Sequence, residues 1–192
     1  MYPFVRMAWQ MWRHRNDPAI GLLDEHVSQH ICWPWDLDFW AELNNGRTLT
    51  LFDLGRVPAL RRTRLFDVLA RERWGMAVAG ASVRYRKRVL AFARITMRTR
   101  GVGWDARFLY VEQSMWLSDG SCASHVLIRS AATDRNGIIA PARLVAALGW
   151  QGPAPVLPDW VAAWAAADAT RPWPPMQGQA QGAHGPDARP GA

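Results

Sequence analysis

The residues best placed to do chemistry lie in one segment, which reads Asp-Leu-Asp-Phe-Trp-Ala-Glu-Leu-Asn-Asn-Gly-Arg-Thr over positions 36–48. Asp36 and Asp38 are two carboxylates one residue apart, and they precede a run that can open a helix. Asn44 and Asn45 are good N-cap residues, and Gly46 lets a ligand approach the backbone closely. Free backbone N–H groups at such a helix start can polarise a carbonyl and stabilise an oxyanion. The segment therefore indicates acyl transfer or hydrolysis, and the alternative is an acidic loop that merely caps a helix.

The elements that must position this segment follow from the hydrophobic pattern. A strand is predicted from about Glu25 to Trp33, and then the central helix to about Arg56, since Pro58 forbids easy continuation. A second helix is predicted from Ala59 to Arg73. Period-two alternation and turn signals then predict strands over Met76–Arg88, Leu90–Thr99, Arg107–Leu117 and Cys122–Thr133, and short helices over Pro141–Leu148 and Pro158–Ala169. A helix followed by an antiparallel meander indicates an α+β fold.

The segment over 36–48 resembles the Asp-x-Asp-x-x-Gly-His-x-Asn-Asn-x-x-Tyr signature of hotdog-fold acyl-CoA thioesterases, the 4-hydroxybenzoyl-CoA thioesterase-like group. It resembles still more the thioesterase-superfamily-member-six-like branch, in which an Asn-Asn-x-Arg step leads into a helix that ends Asp-x-x-Arg. Here that ending is Asp53-Leu54-Gly55-Arg56. The resemblance covers the core from about His26 to Arg143. It implies a hotdog fold, in which an antiparallel sheet wraps a long central helix, here with extra N- and C-terminal helices.

The resemblance also implies roles for individual residues. Asp38 falls where the family places its catalytic carboxylate, which acts as nucleophile or as general base for water. Asp36 falls on the first Asp of the signature and would help to fix the loop. Asn45 falls on the helix-opening Asn, and backbone N–H groups around Asn45 and Gly46 would polarise the thioester carbonyl.

Three positions depart from the signature: Ala41 stands where the family has Gly, Glu42 where it has His, and Thr48 where it has Tyr. Glu42 is either an alternative base or an exposed acid that complements the dipole of the helix.

Two further groups of polar residues lie on the predicted strands. Alternating Arg84, Arg86 and Arg88 either hold the phosphates of coenzyme A or form a solvated sheet face. Glu112 and Gln113 interrupt a mostly apolar strand, so one of them is expected to face inward. Glu112 is then a second-line catalytic residue or a surface acid paired with an arginine.

Composition and charge limit the classes of protein to which this chain can belong. A chain of 192 residues that is 49% hydrophobic is long enough for one domain with a real core. The net charge of +7 is carried almost wholly by arginine, which suits phosphate groups, and no recognised nucleic-acid motif appears. Cys32 and Cys122 are expected to be free thiols in a cytoplasmic protein, and the five histidines predict no metal site.

The N-terminal residues 4–15 predict an amphipathic basic helix, which combines Phe4, Met7, Met11 and Trp12 with arginines. Such a helix either packs on its own domain or a partner, or lies on an anionic membrane surface. No apolar run is long enough to span a membrane, and no secretory signal is recognised. The expected organisation is an N-terminal helix and linker over 1–24, a hotdog domain over 25–150, a C-terminal helix over 151–170 and a disordered tail over 171–192.

The sequence thus predicts a thioesterase that hydrolyses an acyl-CoA or acyl-carrier-protein thioester to a free acid and a thiol. Coenzyme A enters as part of the substrate, and no further cofactor is expected. Because the family builds its acyl tunnel between subunits, the resemblance implies a homodimer or a dimer of dimers. The alternatives are a non-catalytic acyl-CoA or lipid-binding hotdog protein and a basic membrane-surface or nucleic-acid adaptor.

Overall fold

The computed structural model describes residues 2–175 and divides the chain into two compact units, Met1–Val156 and Leu157–Ala192. Among the described residues, the first unit holds the whole sheet, and the second holds the helix α5, Asp159–Ala169. From position 176 onward, the tail that the sequence predicts as disordered lies outside the described residues.

The sheet of the first unit is entirely antiparallel, and neighbouring strands follow the order β1-β3-β4-β5-β2. Its strands are β1 (His26–Ile31), β2 (Gly75–Tyr85), β3 (Arg94–Trp104), β4 (Leu109–Leu117), β5 (Cys122–Asp134) and β6 (Gly137–Ile139), which pairs with β5. The two edges of the main sheet are therefore β1 and β2, which are far apart in space although both precede β3 in the chain.

The longest helix, α2 (Asn45–Arg62), packs its apolar side on one face of this sheet. Its fully buried side chains share one core with those of the central strands: Leu51, Phe52, Leu54, Ile95, Met97 and Met115. Gly55 lets helix and sheet approach closely, because a Cβ atom there would lie 2.5 Å from Met97 Sδ. The α+β class and the hotdog arrangement, a long helix wrapped by an antiparallel sheet, are confirmed.

The predicted helix end before Pro58 is wrong, because α2 continues through this proline to Arg62. A proline inside a helix removes one hydrogen bond and crowds the preceding turn. Here Pro58 is itself buried, so packing on the sheet outweighs the local penalty. The helix ends instead where Arg64 adopts a left-handed conformation with φ of 60°, and α3 spans only Leu65–Glu72.

Three predicted strand boundaries are also wrong, and one of them is the end of β3, which lies at Trp104 rather than Thr99. β2 ends at Tyr85 rather than Arg88, because the N–H groups of Arg86 and Lys87 both donate to the Ala123 carbonyl and break the alternation. β3 begins at Arg94 rather than Leu90, because residues 90–93 form a turn in which Phe92 has a φ of 62°.

The predicted N- and C-terminal helices are present as α1 (Phe4–Arg13), α4 (Pro141–Ala147) and α5. The helix α1 lies along the β1 edge, where its polar side chains satisfy outward-pointing carbonyls. Gln10 Nε2 donates to the Gln29 carbonyl at 3.1 Å, and Arg6 Nη2 donates to the Ile31 carbonyl at 2.8 Å. Covering an edge in this way prevents it from pairing with another strand. Within residues 2–175, no helix has both the length and the apolar character needed to cross a membrane.

Candidate active site

The loop between β1 and α2 folds on itself before the helix begins. Leu37 and Leu43 form an isolated antiparallel bridge. Beyond it the Asp38 N–H donates to the Glu42 carbonyl at 2.8 Å, and the Ala41 N–H donates to the Asp38 carbonyl at 3.1 Å. Ala41 has a φ of 58°, a left-handed conformation that favours glycine. Ala41 thus adopts a backbone conformation that suits the glycine found at this position of the resembling signature.

Asp36 is the anchor of this loop, and its side chain is fully buried. Its two carboxylate oxygens accept hydrogen bonds from Arg6 Nη1 at 2.7 Å, Arg47 Nε at 2.8 Å and the Trp33 N–H at 3.0 Å. Burial alone would raise the pKa of Asp36, but the hydrogen bonds from Arg47, Trp33 and Arg6 outweigh burial and hold the pKa below its ordinary value. Asp36 therefore stays ionised, and both of its carboxylate oxygens are engaged in hydrogen bonds. This fits its expected role in fixing the loop.

The first turn of α2 begins beside Asp36, whose carbonyl accepts the Asn44 N–H at 3.0 Å. Asn44 caps the helix, since its side-chain oxygen accepts the Arg47 N–H at 3.1 Å. Within the described part of the chain, the N–H groups of Asn45 and Gly46 have no acceptor. These two donors carry the positive end of the helix dipole and are available to a carbonyl oxygen.

A cavity of about 230 Å³ opens at this helix start, and its walls include Glu42, Asn45, Thr48, Tyr85, Arg86 and Arg88. Glu42 Oε2 lies 2.9 Å from Arg88 Nε, and the Tyr85 hydroxyl donates to the Asn45 carbonyl at 3.2 Å. A carboxylate, a helix N-terminus and several cations therefore face the same space.

Ser124 is a member of this cavity wall that the sequence did not suggest. It is 3% exposed, and its hydroxyl oxygen has no hydrogen-bond partner among the described residues. Ser124 lies opposite Tyr85 in the pairing of β5 with β2, on the face that α2 covers. Its signal in the sequence is a hydroxyl at an inward position of β5, and the strand register is needed to recognise it.

The structure brings some of the sequence-predicted residues to the cavity and leaves others outside. Arg86 and Arg88 reach it, together with Lys87, because β2 ends before them. Arg84 does not, since it pairs with His125 in the sheet register, on the face opposite α2. Asp38 is absent from the cavity walls, and its Oδ1 accepts the Trp40 N–H at 2.8 Å, which closes the tight turn of the loop.

Glu112 and Gln113 occupy opposite faces of the sheet, so only Gln113 faces inward. Gln113 is fully buried and bound within its own subunit: it accepts from Arg56 at 3.1 Å and donates to the Phe52 carbonyl at 2.8 Å. Glu112 pairs with Arg100 and His125 on the outer face. The hydrogen bond from His125 lowers the pKa of Glu112, and Arg100 acts in the same direction. Burial alone would raise this pKa. Neither residue lines the cavity.

A group of side chains elsewhere has the composition of a metal site: His14, Asp17 and His26. Arg62 Nη1 lies 2.9 Å from His26 Nδ1 and 3.8 Å from Asp17 Oδ2, so a fixed cation already occupies the region. Burial, His14 and Arg62 together lower the pKa of His26 to about 4. This chemistry fits a hydrogen-bonded joint between α1, β1 and α2 better than a metal centre.

A second, apolar cavity of about 80 Å³ lies along the later part of α2, with Leu60, Leu65, Val78 and Leu144 among its walls and Arg56 at its border. Arg56 follows Asn45 by three helical turns, or about 16 Å along the axis. This cavity is therefore separate from the one at the helix start.

Comparisons with known proteins agree with this geometry. The sequence profile of the thioesterase-like superfamily matches residues 32–165, and the chain belongs to this superfamily. Protein THEM6 of Xenopus laevis is 35% identical over 111 residues, which cover 57% of this chain and 54% of that protein. The chain thus spans about half the length of this curated relative.

Solved structures show the same fold. The probable thioesterase YbaW of Escherichia coli has a TM-score of 0.60 at 18% identity, and the match covers 64% of this chain and 96% of that chain. The protein SAV2348 of Staphylococcus aureus, solved in complex with CoA, has a TM-score of 0.55 at 10% identity, with 74% and 94% covered. The resemblance to hotdog thioesterases that the sequence suggested is confirmed.

Asp36→Asn should destabilise the fold by about 3 kcal/mol near neutral pH, because it leaves two arginines without their buried countercharge. Since the folded-state pKa of Asp36 is depressed, this contribution is present above the unfolded pKa of about 3.9 and is lost as the pH falls through the folded value. Urea unfolding at several pH values measures it. Asp67→Asn, at an exposed position of α3, is the control and should change stability by less than about 0.5 kcal/mol. Equal stability of both variants near neutral pH would contradict this role of Asp36.

Proposed function

We propose that this protein hydrolyses a thioester of an acyl group with coenzyme A or an acyl-carrier protein, and releases a free acid and a thiol. One observation carries the proposal: Asn45 and Glu42 line the same cavity at the start of α2, where the N–H groups of Asn45 and of the following Gly46 have no acceptor among the described residues. Oriented donors beside a carboxylate are the groups that thioester hydrolysis needs. Membership of the thioesterase-like superfamily supports the same reaction.

In the proposed mechanism the thioester carbonyl oxygen accepts hydrogen bonds from the Asn45 and Gly46 N–H groups. Glu42 removes a proton from water, and the resulting hydroxide adds to the carbonyl carbon. The tetrahedral intermediate then collapses, the carbon–sulfur bond breaks, and the thiolate takes the proton from Glu42. Fixed donors stabilise the oxyanion without reorganisation, which is commonly the largest catalytic term.

The geometry favours Glu42 over Asp38 as the base. Asp38 holds the tight turn through the Trp40 N–H and exchanges backbone hydrogen bonds with Ala41 and Glu42, so it positions the loop. Glu42 lines the cavity, with Arg88 orienting its carboxylate. The residue that replaces the signature histidine therefore takes a direct part in the proposed reaction.

The cations at the cavity are the proposed binding site for the phosphates of coenzyme A. Arg86, Lys87 and Arg88 follow one another at the end of β2, and a planar guanidinium suits a phosphate group. Ser124 is proposed to hold the attacking water, because its buried hydroxyl lacks a partner in the described structure. A related fold that binds CoA supports the substrate class.

The open β2 edge supports the proposed homodimer. Its middle residues Ala77-Val78-Ala79-Gly80-Ala81 carry no charge and are largely exposed, and among the described residues only β5 pairs with this strand. An exposed apolar edge strand normally pairs or is covered, although a bulge between Val78 and Gly80 interrupts this one. Pairing two copies through β2 would extend the sheet and leave the β1 edge, with α1, on the outside.

A second function, non-catalytic binding of an acyl-CoA, is favoured by the replacement of the signature Gly-His step with Ala41-Glu42. Release of thiol from a panel of acyl-CoA substrates separates the two functions, since a binding protein releases none.

Glu42→Gln and Asp38→Asn form a matched pair of isosteric variants in one loop. We expect Glu42→Gln to lower kcat at least about 100-fold, because an amide cannot accept the proton from water. Asp38→Asn should stay within about three-fold of the parent protein, because its amide oxygen can still accept the Trp40 N–H. Steady-state thiol release measures both, and circular dichroism verifies folding. Loss of turnover in folded Asp38→Asn, with normal turnover in Glu42→Gln, would move the base to Asp38.

Ala79→Lys should convert the dimer into a monomer, because two lysines would face each other across the paired β2 edges. Light scattering measures the mass. Ala106→Lys adds the same charge in the turn between β3 and β4 and serves as the control, with an unchanged mass expected. A parent protein that is already monomeric, or a dimer that both variants retain, would contradict pairing through β2.

A further inference from the structure

The helix α1 turns its aromatic side chains away from the protein. Its inward side carries Met7, which packs on the core, and two polar side chains: Gln10 is buried, and Arg6 reaches the buried Asp36. Val5 is 84% exposed and Trp9 is 52% exposed on the outward side. A helix whose only task was to cover the sheet edge would turn its tryptophans inward, because large apolar side chains gain most from burial.

These side chains continue into the neighbouring loops as one surface. The Trp9 and Trp12 rings stack 5.0 Å apart. Trp9 and Trp33 line the same groove of about 700 Å³ between α1 and β1. Trp33 in turn stacks on Trp35 at 5.2 Å and meets Phe92 edge-on at 6.0 Å. This continuous surface is called the aromatic face here, and it consists of Val5, Trp9, Trp12, Trp33, Trp35 and Phe92.

The apolar side chains of the aromatic face are more exposed than is usual on the surface of a protein. Trp35 is 66% exposed and Phe92 is 62% exposed. Contiguous exposed apolar patches mark sites that meet another molecule or a membrane. The Gln29 and Ile31 carbonyls on the outer side of β1 already accept hydrogen bonds from Gln10 and Arg6 of α1, so a partner strand cannot add there.

Three arginines accompany these rings in the groove. Arg6, Arg13 and Arg94 line it together with apolar residues and with Gln10, Gln29 and His30, and no acidic residue within residues 2–175 does. Arg6 is paired with Asp36, whereas Arg13 and Arg94 are exposed and have no acidic partner within residues 2–175. Arg15 lies 4.3 Å from the Trp12 ring centroid, so another cation sits at the end of the face.

We propose that the aromatic face docks the protein on a bilayer that contains anionic lipids. Tryptophan rings favour the zone between lipid headgroups and acyl chains, where one side of the ring is apolar and the N–H is hydrated. Exposed arginines beside them attract negatively charged headgroups, and each contributes about 1 kcal/mol near such a surface. The β1 side of the proposed dimer, with α1 on it, lies outside the dimer contact and is free for the membrane, and the proposal does not depend on thioester hydrolysis.

Sedimentation of the full chain with lipid vesicles tests this proposal. We expect binding to vesicles of phosphatidylcholine mixed with phosphatidylglycerol, and much weaker binding to phosphatidylcholine alone. Trp9→Asp combined with Trp35→Asp should weaken binding at least about ten-fold, because charged side chains resist insertion among lipids. Ile138→Asp is the matched control on β6, at an exposed apolar position outside the face, and should bind like the parent protein.

Arg13→Gln combined with Arg94→Gln should weaken binding to the anionic vesicles about five-fold per arginine and leave binding to neutral vesicles unchanged. No binding of the folded parent protein to anionic vesicles would overturn the proposal. An equal loss with Ile138→Asp would also overturn it. A mass that falls in the tryptophan variant, without vesicle binding by the parent protein, would assign the face to contact between copies of this chain instead.

Discussion

The buried carboxylate of Asp36 is the interaction on which the other parts of the site depend. It joins an arginine of α1, an arginine of α2 and a backbone N–H of the loop between β1 and α2. A buried charge is tolerated only when it is fully paired, so these three donors are constrained together. Because Arg6 also caps the edge of β1, the same carboxylate links the N-terminal helix to the sheet. The start of α2, with its two free N–H groups, is thereby held in one place.

The loop next to Asp36 carries an alanine where the resembling signature has glycine. Ala41 keeps the left-handed backbone that glycine adopts most easily, at some conformational cost. The turn that results places Glu42, rather than Asp38, at the cavity. The spacing of Asp36 and Asp38 indicated that this segment belongs to the candidate site. The surroundings of the two side chains differ, because the arginines surround Asp36. The sequence alone does not reveal this difference.

The sequence was a good guide wherever local rules decide the outcome. The Asn44 cap, the helix after it, the strand alternation and the α+β class all follow from residue type and spacing. Tertiary packing decided the rest. Pro58 stays inside α2 because its surroundings are buried, and Arg86 turns to the cavity because a shared carbonyl ends the alternation. Ser124 could be recognised only from strand register, which depends on contacts between distant segments.

The free N–H groups of Asn45 and Gly46 are the central feature of the proposed site, and backbone amide NMR tests them most directly. The probe is an acyl-CoA analogue in which a methylene replaces the thioester sulfur, so that the carbonyl remains and no hydrolysis occurs. We expect the Asn45 and Gly46 amide protons to shift downfield and to exchange more slowly with water at saturation. The Arg47 amide, already capped by Asn44, should change little. Unchanged Asn45 and Gly46 signals with the analogue bound would contradict a carbonyl site at this helix start.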